Sequence, residues 1–198
     1  IRLSFLEYVN GDKEKAEKEL NDLLVKSNQL KDYENVAELL NLKGIIKEEN
    51  NDMKGATKLY LEGLTVSEIH NLKYYPAVFS NNLGLIKLSL GQINEALVDL
   101  EKGLKIAESE NNKHLANHFQ MNICLAYVSD NKPEKAFELF EKVIQYSRQN
   151  NHILELATNY INLSSALSKS GKSEIALSYL DSAIVVLNRP DFKKELTK

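Results

Sequence analysis

Four scarcities narrow this chain before any motif is read. It has one cysteine, Cys124, in 198 residues, so an internal disulfide and a cysteine-based zinc site are both excluded, while the compartment stays open between cytoplasm and periplasm. Basic charge is not in excess: 25 Lys and Arg face 28 Asp and Glu, a net charge of −3. Nucleic acid and anionic membrane surfaces both need cations massed on one face, so neither is an expected partner. No apolar run approaches the length of a membrane span, and no basic-then-apolar leader opens the sequence. Proline occurs three times, at Pro76, Pro133 and Pro190, positions that suit helix starts and interrupt no helix interior. The chain begins with Ile1 partway through a repeated pattern, which is the expectation for a piece of a longer protein.

What is abundant is periodicity. Gly91 has counterparts at Gly11, Asn51, Asn131 and Gly171, each 40 residues from the next, and Ala96 recurs in the same register at Ala16, Ala56, Ala136 and Ala176. Such register marks an array of one repeated unit. Gly or Asn at the first set is what a left-handed helix C-cap needs, because those residues enter that conformation at little cost. Each unit therefore reads as two helices, A and B, joined at this turn. Helix A is expected at 33–50, 74–90, 113–130 and 152–170, and helix B at 12–30, 52–70, 92–110, 132–149 and 172–187. A further A helix is expected at 1–10. The units run 1–32 (partial), 33–72, 73–112, 113–151 and 152–190, as one domain, with 191–198 opening a cap or a further helix.

The apolar positions follow the same beat. Ala96, Leu100, Gly103, Leu104 and Ala107 fall at i, i+4, i+7, i+8 and i+11, one stripe of an α-helix. Ala136, Phe140, Val143, Ile144 and Ser147 repeat it, as do Ala176, Leu180, Ala183, Ile184 and Leu187. On helix A the small residues Ser4, Gly44, Gly84, Cys124 and Ser164 share one position, where close approach of helix B is expected. Among the eight glycines only Gly55 has no slot in this scheme.

An apolar residue before a small one (Leu83-Gly84, Ile123-Cys124, Leu163-Ser164), a Gly or Asn seven positions later, an Ala five after that and a large apolar residue four further on resembles the tetratricopeptide repeat. The 40-residue spacing is similar to the longer variety found in kinesin light chains, in mitotic-spindle adaptors, in bacterial peptide-pheromone receptors and in sensor-kinase input domains. The pattern departs from the common one where Lys87 and Leu167 replace the aromatic that Tyr127 keeps. The resemblance implies an all-α, right-handed superhelical solenoid whose A helices line a concave groove.

It also implies where a partner binds. Asn82, Asn122 and Asn162 stand in register two positions before the small contact residue. In the family, asparagines there hold the backbone of an extended peptide, since a carboxamide answers both an N–H and a C=O. The plainer alternative is that they bond a neighbouring helix. The same face should carry Val78, Asn81, Leu85 and Ser89, then His118, Met121, Leu125 and Ser129, then Thr158, Ile161, Ser165 and Lys169. An apolar floor with neutral polar groups suits a peptide or protein partner, although Leu85, Met121 and Ile161 equally suit core between repeats. His114 and His118 have the spacing of a two-histidine metal site, but no third ligand lies near them in sequence, so groove or solvent lining is expected and no cofactor or metal. Nothing gathers a nucleophile, base and orienter, and no glycine-rich phosphate loop is present. The expected function is non-enzymatic peptide or protein binding within a larger regulatory protein. The alternative is a scaffold whose groove is filled by its own chain or an oligomer mate and which controls a fused effector, such as a kinase, a cyclase or a DNA-binding module.

Overall fold

The computed structural model describes residues 13–190. Among them are nine α-helices and no strand: α1 (Lys13–Gln29), α2 (Tyr33–Glu49), α3 (Met53–Ile69), α4 (Tyr75–Ser89), α5 (Ile93–Ser109), α6 (Lys113–Ser129), α7 (Phe137–Gln149), α8 (Ile153–Lys169) and α9 (Ser173–Leu187). The helix expected over 1–10 lies outside the described residues. The fold is an all-α array of helix pairs, as the register requires. Helices α2, α4, α6 and α8 are the A helices, and the others are B helices.

Asn51, Gly91, Asn131 and Gly171 have positive φ, as the 40-residue series predicts. A second series, Lys31, Asn71, Asn111 and Asn151, does the same midway between them, so the chain reverses every 20 residues. Each reversal uses the same two backbone bonds. Asp52 N–H donates to Lys47 O and Asn51 N–H to Glu48 O, both at 2.8 Å, and the other seven turns repeat the pattern. This is the Schellman closure, which satisfies the last carbonyls of one helix. At three turns the residue closing it also caps the next helix with its side chain: Asp52 accepts from the Gly55 amide at 2.8 Å, Asp32 from Asn35 and Asn112 from Leu115. Gly55 thereby finds its reason, since a Cβ there would lie 2.3 Å from the Asp52 carboxylate.

Lys31 holds a left-handed φ of 56° where the equivalent turns use Asn. A long side chain gains nothing locally from that conformation. Lys31→Asn is expected to raise stability by about 0.5–1 kcal/mol, read as a shift of the urea midpoint without a change of slope.

Two expectations are corrected. The helix predicted from residue 132 instead starts as a 3-10 turn, Pro133–Ala136, with the first bond closing one residue early, from Lys135 N–H to Lys132 O. The stripe on the last B helix is also only half realised. Leu180 and Ile184 are 38% and 57% exposed, whereas Leu100 and Phe140 at the first of these positions are fully buried. A B helix buries its stripe against the A helix that follows, and among the described residues none follows α9.

The chain divides into two compact units between Ile86 and Lys87. In the first, Ala56, Tyr60, Phe79 and Leu83 anchor the core. In the second, Cys124, Phe140, Val143, Tyr160 and Leu163 do so. A size rule links successive helices. Gly44 lies under the ring of Tyr60, Gly63 under Phe79 and Gly103 under Phe119, where an added Cβ would fall 2.1 Å from a ring carbon in each case. Where the fourth repeat meets the fifth, Val143 replaces the glycine and Asn159 the phenylalanine, its carboxamide donating to Ser147 Oγ at 3.0 Å and Val143 O at 3.3 Å. Volume lost on one helix is regained on the other. Cys124 fills the small A-helix slot. Burial pushes its thiol up to about 12, so it is packing material and not a nucleophile.

Candidate functional site

The site is built from the A helices, because their inner turns carry the in-register polar side chains. In the first unit α2 and α4 are joined by Asn82, whose Nδ2 donates to Asn41 Oδ1 at 2.7 Å. In the second unit the equivalent reach is made by Asn162, whose Nδ2 lies 3.5 Å from the Met121 sulfur on α6. Both contacts span 41 residues, one more than the repeat. Asn82 and Asn162 thus bond the neighbouring A helix, and all three of Asn82, Asn122 and Asn162 are half-buried, which leaves each partly open to solvent.

The other candidates separate by exposure. On α4, Leu85 and Ser89 are exposed while Val78 and Asn81 are half-buried. On α6, His118 and Ser129 are exposed, and Met121 and Leu125 are half-buried, with Met121 packed on the core of the second unit. On α8, Thr158, Ile161, Ser165 and Lys169 are all exposed. Leu85 and Ile161, at 38% and 46% exposure, are surface residues and not core between repeats. Lys87, standing where the repeat usually has an aromatic, pairs with Asp99 at 2.6 Å.

One cluster was not visible in the sequence. His114 and His118 on α6 meet His152 and Glu155 at the start of α8. Glu155 lies 3.0 Å from His114 Nε2, 3.1 Å from His152 Nδ1 and 3.6 Å from His118 Nε2. Partial burial alone would raise the Glu155 carboxyl, but the bonds from His152 and His114 and the charges of His118 and His152 outweigh it and hold the acid below its ordinary range. Burial lowers the His118 imidazole, with Glu155 opposing only in part. The further groups that the sequence places nowhere near the histidine pair are thus supplied in space. The partners arrive from the next A helix, 38 and 41 residues along the chain from His114 (152 and 155).

A separate hollow of about 450 Å³ is lined by Glu141, Ile144, Arg148, Leu163 and Tyr179 on α7, α8 and α9. Arg148 at its edge donates to the Tyr160 hydroxyl at 2.6 Å. No register in the sequence pointed to it, because its residues share no repeated position.

The pattern described as tetratricopeptide repeat matches residues 80–119. The fold is that of tetratricopeptide-repeat proteins. Among solved structures, BtubC from P. vanneervenii is similar, with a TM-score of 0.83 and 22% identity over 93% of this chain and 76% of that one. A putative kinesin light chain from Podosopora anserina with nearly identical TPR-like repeats, in a variant form, gives 0.75 and 16% over 94% and 92%. A signal-transduction ATPase with a tetratricopeptide repeat sensor, from Pyrococcus horikoshii, gives 0.77 and 18% over 98% of this chain and 30% of that one. No curated protein sequence matches. At these identities the tetratricopeptide likeness is one of fold, and its 40-residue variety is the one expected from the register. Among the described residues no helix is long and apolar enough to cross a membrane.

Proposed function

We propose that this tetratricopeptide-type array binds an extended peptide segment of a partner protein on the open face of its A helices, as the sensory or adaptor part of a larger regulatory protein. The observation that carries the reading is the α6–α8 face. There Asn122 and Asn162 present half-exposed carboxamides in register, between the apolar Met121, Leu125 and Ile161 and the neutral Ser129, Thr158 and Ser165. An extended backbone offers alternating N–H and C=O groups, which carboxamides at a fixed pitch can answer, while the apolar residues take alternate side chains. Asn162 reaches Met121 through its Nδ2, and its carboxamide oxygen is the group this reading assigns to a peptide N–H. The face has no cluster of cations, which disfavours an acidic terminus as the anchor. The sensor role of a similar repeat array in the Pyrococcus horikoshii protein is consistent with a regulatory place for this one.

The test uses peptides selected from a random display library on the full chain. Asn122→Ala combined with Asn162→Ala is expected to weaken them by roughly tenfold or more, as two lost hydrogen bonds of about 1 kcal/mol each imply. Unchanged affinity, with helix content intact by circular dichroism, would remove this face as the site.

A further inference from the structure

We propose that His114, His118, His152 and Glu155 form a binding site for a divalent late transition metal, Zn²⁺ by preference, that clamps the first turn of α6 to the first turn of α8. Three of the four histidines in the chain converge on one carboxylate. The candidate ligand atoms of His114, His152 and Glu155 all lie within 4.8 Å of one another. In a tetrahedral zinc site with bonds of about 2.0–2.1 Å, adjacent ligand atoms are about 3.4 Å apart. His114 Nε2 lies 3.0 Å and His118 Nε2 3.6 Å from one Glu155 oxygen, Oε1, and His152 Nδ1 3.1 Å from the other, Oε2, close to that edge length, so a rotation of the carboxylate brings His114, His152 and Glu155 onto one ion. The ion replaces the protons that now bridge ring nitrogens to Glu155, and each imidazole offers its lone pair.

The backbone already holds these ligands in place. His114 and His118 are one helical turn apart on α6. His152 closes the turn after α7 through its amide to Ser147 O at 2.9 Å, and its own carbonyl accepts from Leu156 N–H at 2.8 Å to begin α8. Its ring packs edge-on against Tyr146 and His114. The rings of His114 and His118 are likewise edge to face. The side chains of His114 and His118 are 52% and 48% exposed, so an ion reaches them from solvent.

The donor set decides the metal. Three imidazoles with one carboxylate suit zinc and its neighbours, whereas Mg²⁺ and Ca²⁺ prefer oxygen ligands. His114, His152 and Glu155 supply three ligand atoms that already lie together, and a rotation of the His118 ring from its place 3.6 Å from Glu155 adds the fourth, which fills the tetrahedron as in a structural or regulatory clamp. His118 also belongs to the face proposed for peptide binding, but metal binding requires nothing of that proposal.

The experiment titrates the tag-free full chain with Zn²⁺, with Co²⁺ as a spectroscopic probe and with Mg²⁺. One Zn²⁺ per chain, a raised melting temperature, visible Co²⁺ bands of tetrahedral intensity and no response to Mg²⁺ are expected. His114→Gln with His152→Gln should weaken Zn²⁺ by at least about a hundredfold, Glu155→Gln by at least about tenfold, and His70→Gln, at a histidine stacked on Tyr33, not at all. The absence of stoichiometric Zn²⁺ binding to the wild-type chain, octahedral Co²⁺ spectra, an equal response to Mg²⁺, or Zn²⁺ binding that survives the double substitution would each overturn the site. Peptide affinity in metal-free buffer reads the function proposal separately, so either can fail alone.

Discussion

Phe140→Ala is expected to destabilise the chain by about 3–5 kcal/mol, the range for an aromatic removed from a packed core. Phe140 is fully buried on α7, in one cluster with Val143, Leu156, Ala157 and Leu163. The substitution leaves a void that the helices on either side cannot close, because both are fixed by their turns. Leu180→Ala is the internal control. It removes a side chain at the same position of the next repeat, yet Leu180 is 38% exposed, so only about 1–2 kcal/mol is expected. Urea unfolding followed by circular dichroism measures both. Equal costs would show that position in the repeat, and not coverage by the following A helix, determines burial.

Gly103→Val should cost about 3 kcal/mol or more, against the gain in helix propensity that replacing a glycine normally brings. The new Cβ would meet Phe119 at 2.1 and 2.2 Å, and Phe119 is fully buried, so its ring yields only by displacing packed neighbours. The contact between the fourth and fifth repeats shows the compensation, with Val143 and Asn159 at the matching positions. Adding Phe119→Leu to Gly103→Val is therefore expected to recover a part of the loss that a double-mutant cycle can read, with a coupling of about 1–3 kcal/mol. Strict additivity of the two substitutions would mean that the ring and the glycine do not share the space.

Much of this was legible because helix pairs of fixed length leave a fixed beat. The Ala16 to Ala176 series falls in four of the five described B helices and, at Ala136, in the 3-10 turn that opens the other, and the Gly91 series located one turn per repeat. The second turn was equally present, as Asn71, Asn111 and Asn151, but Lys31 breaks that series and a left-handed lysine carries no compositional signal. The 3-10 start at Pro133 was hidden for another reason. Proline is compatible with the first turn of either helix type, and the choice is made by packing.

The helices proposed to carry the face were chosen from the register, and Thr158, Ile161 and Ser165 stand exposed on one of them. The alternatives left open for Asn82 and Asn162 could not be separated by counting, because adjacent A helices meet at a stagger of 41 residues, not 40. The same stagger brings His114 to Glu155, and because that partner lies one repeat along the chain, no further ligand stands beside the histidine pair in the sequence.

By itself the amino-acid order determined the helix lengths, the turns and the small-residue contacts, since these depend on local backbone preference and on a stripe repeated every 40 positions. Tertiary structure alone decided which side chains from successive A helices touch. That depends on the lateral offset of packed helices, which is fixed by how side chains from several helices fill the space between them and is written at no single position of the chain.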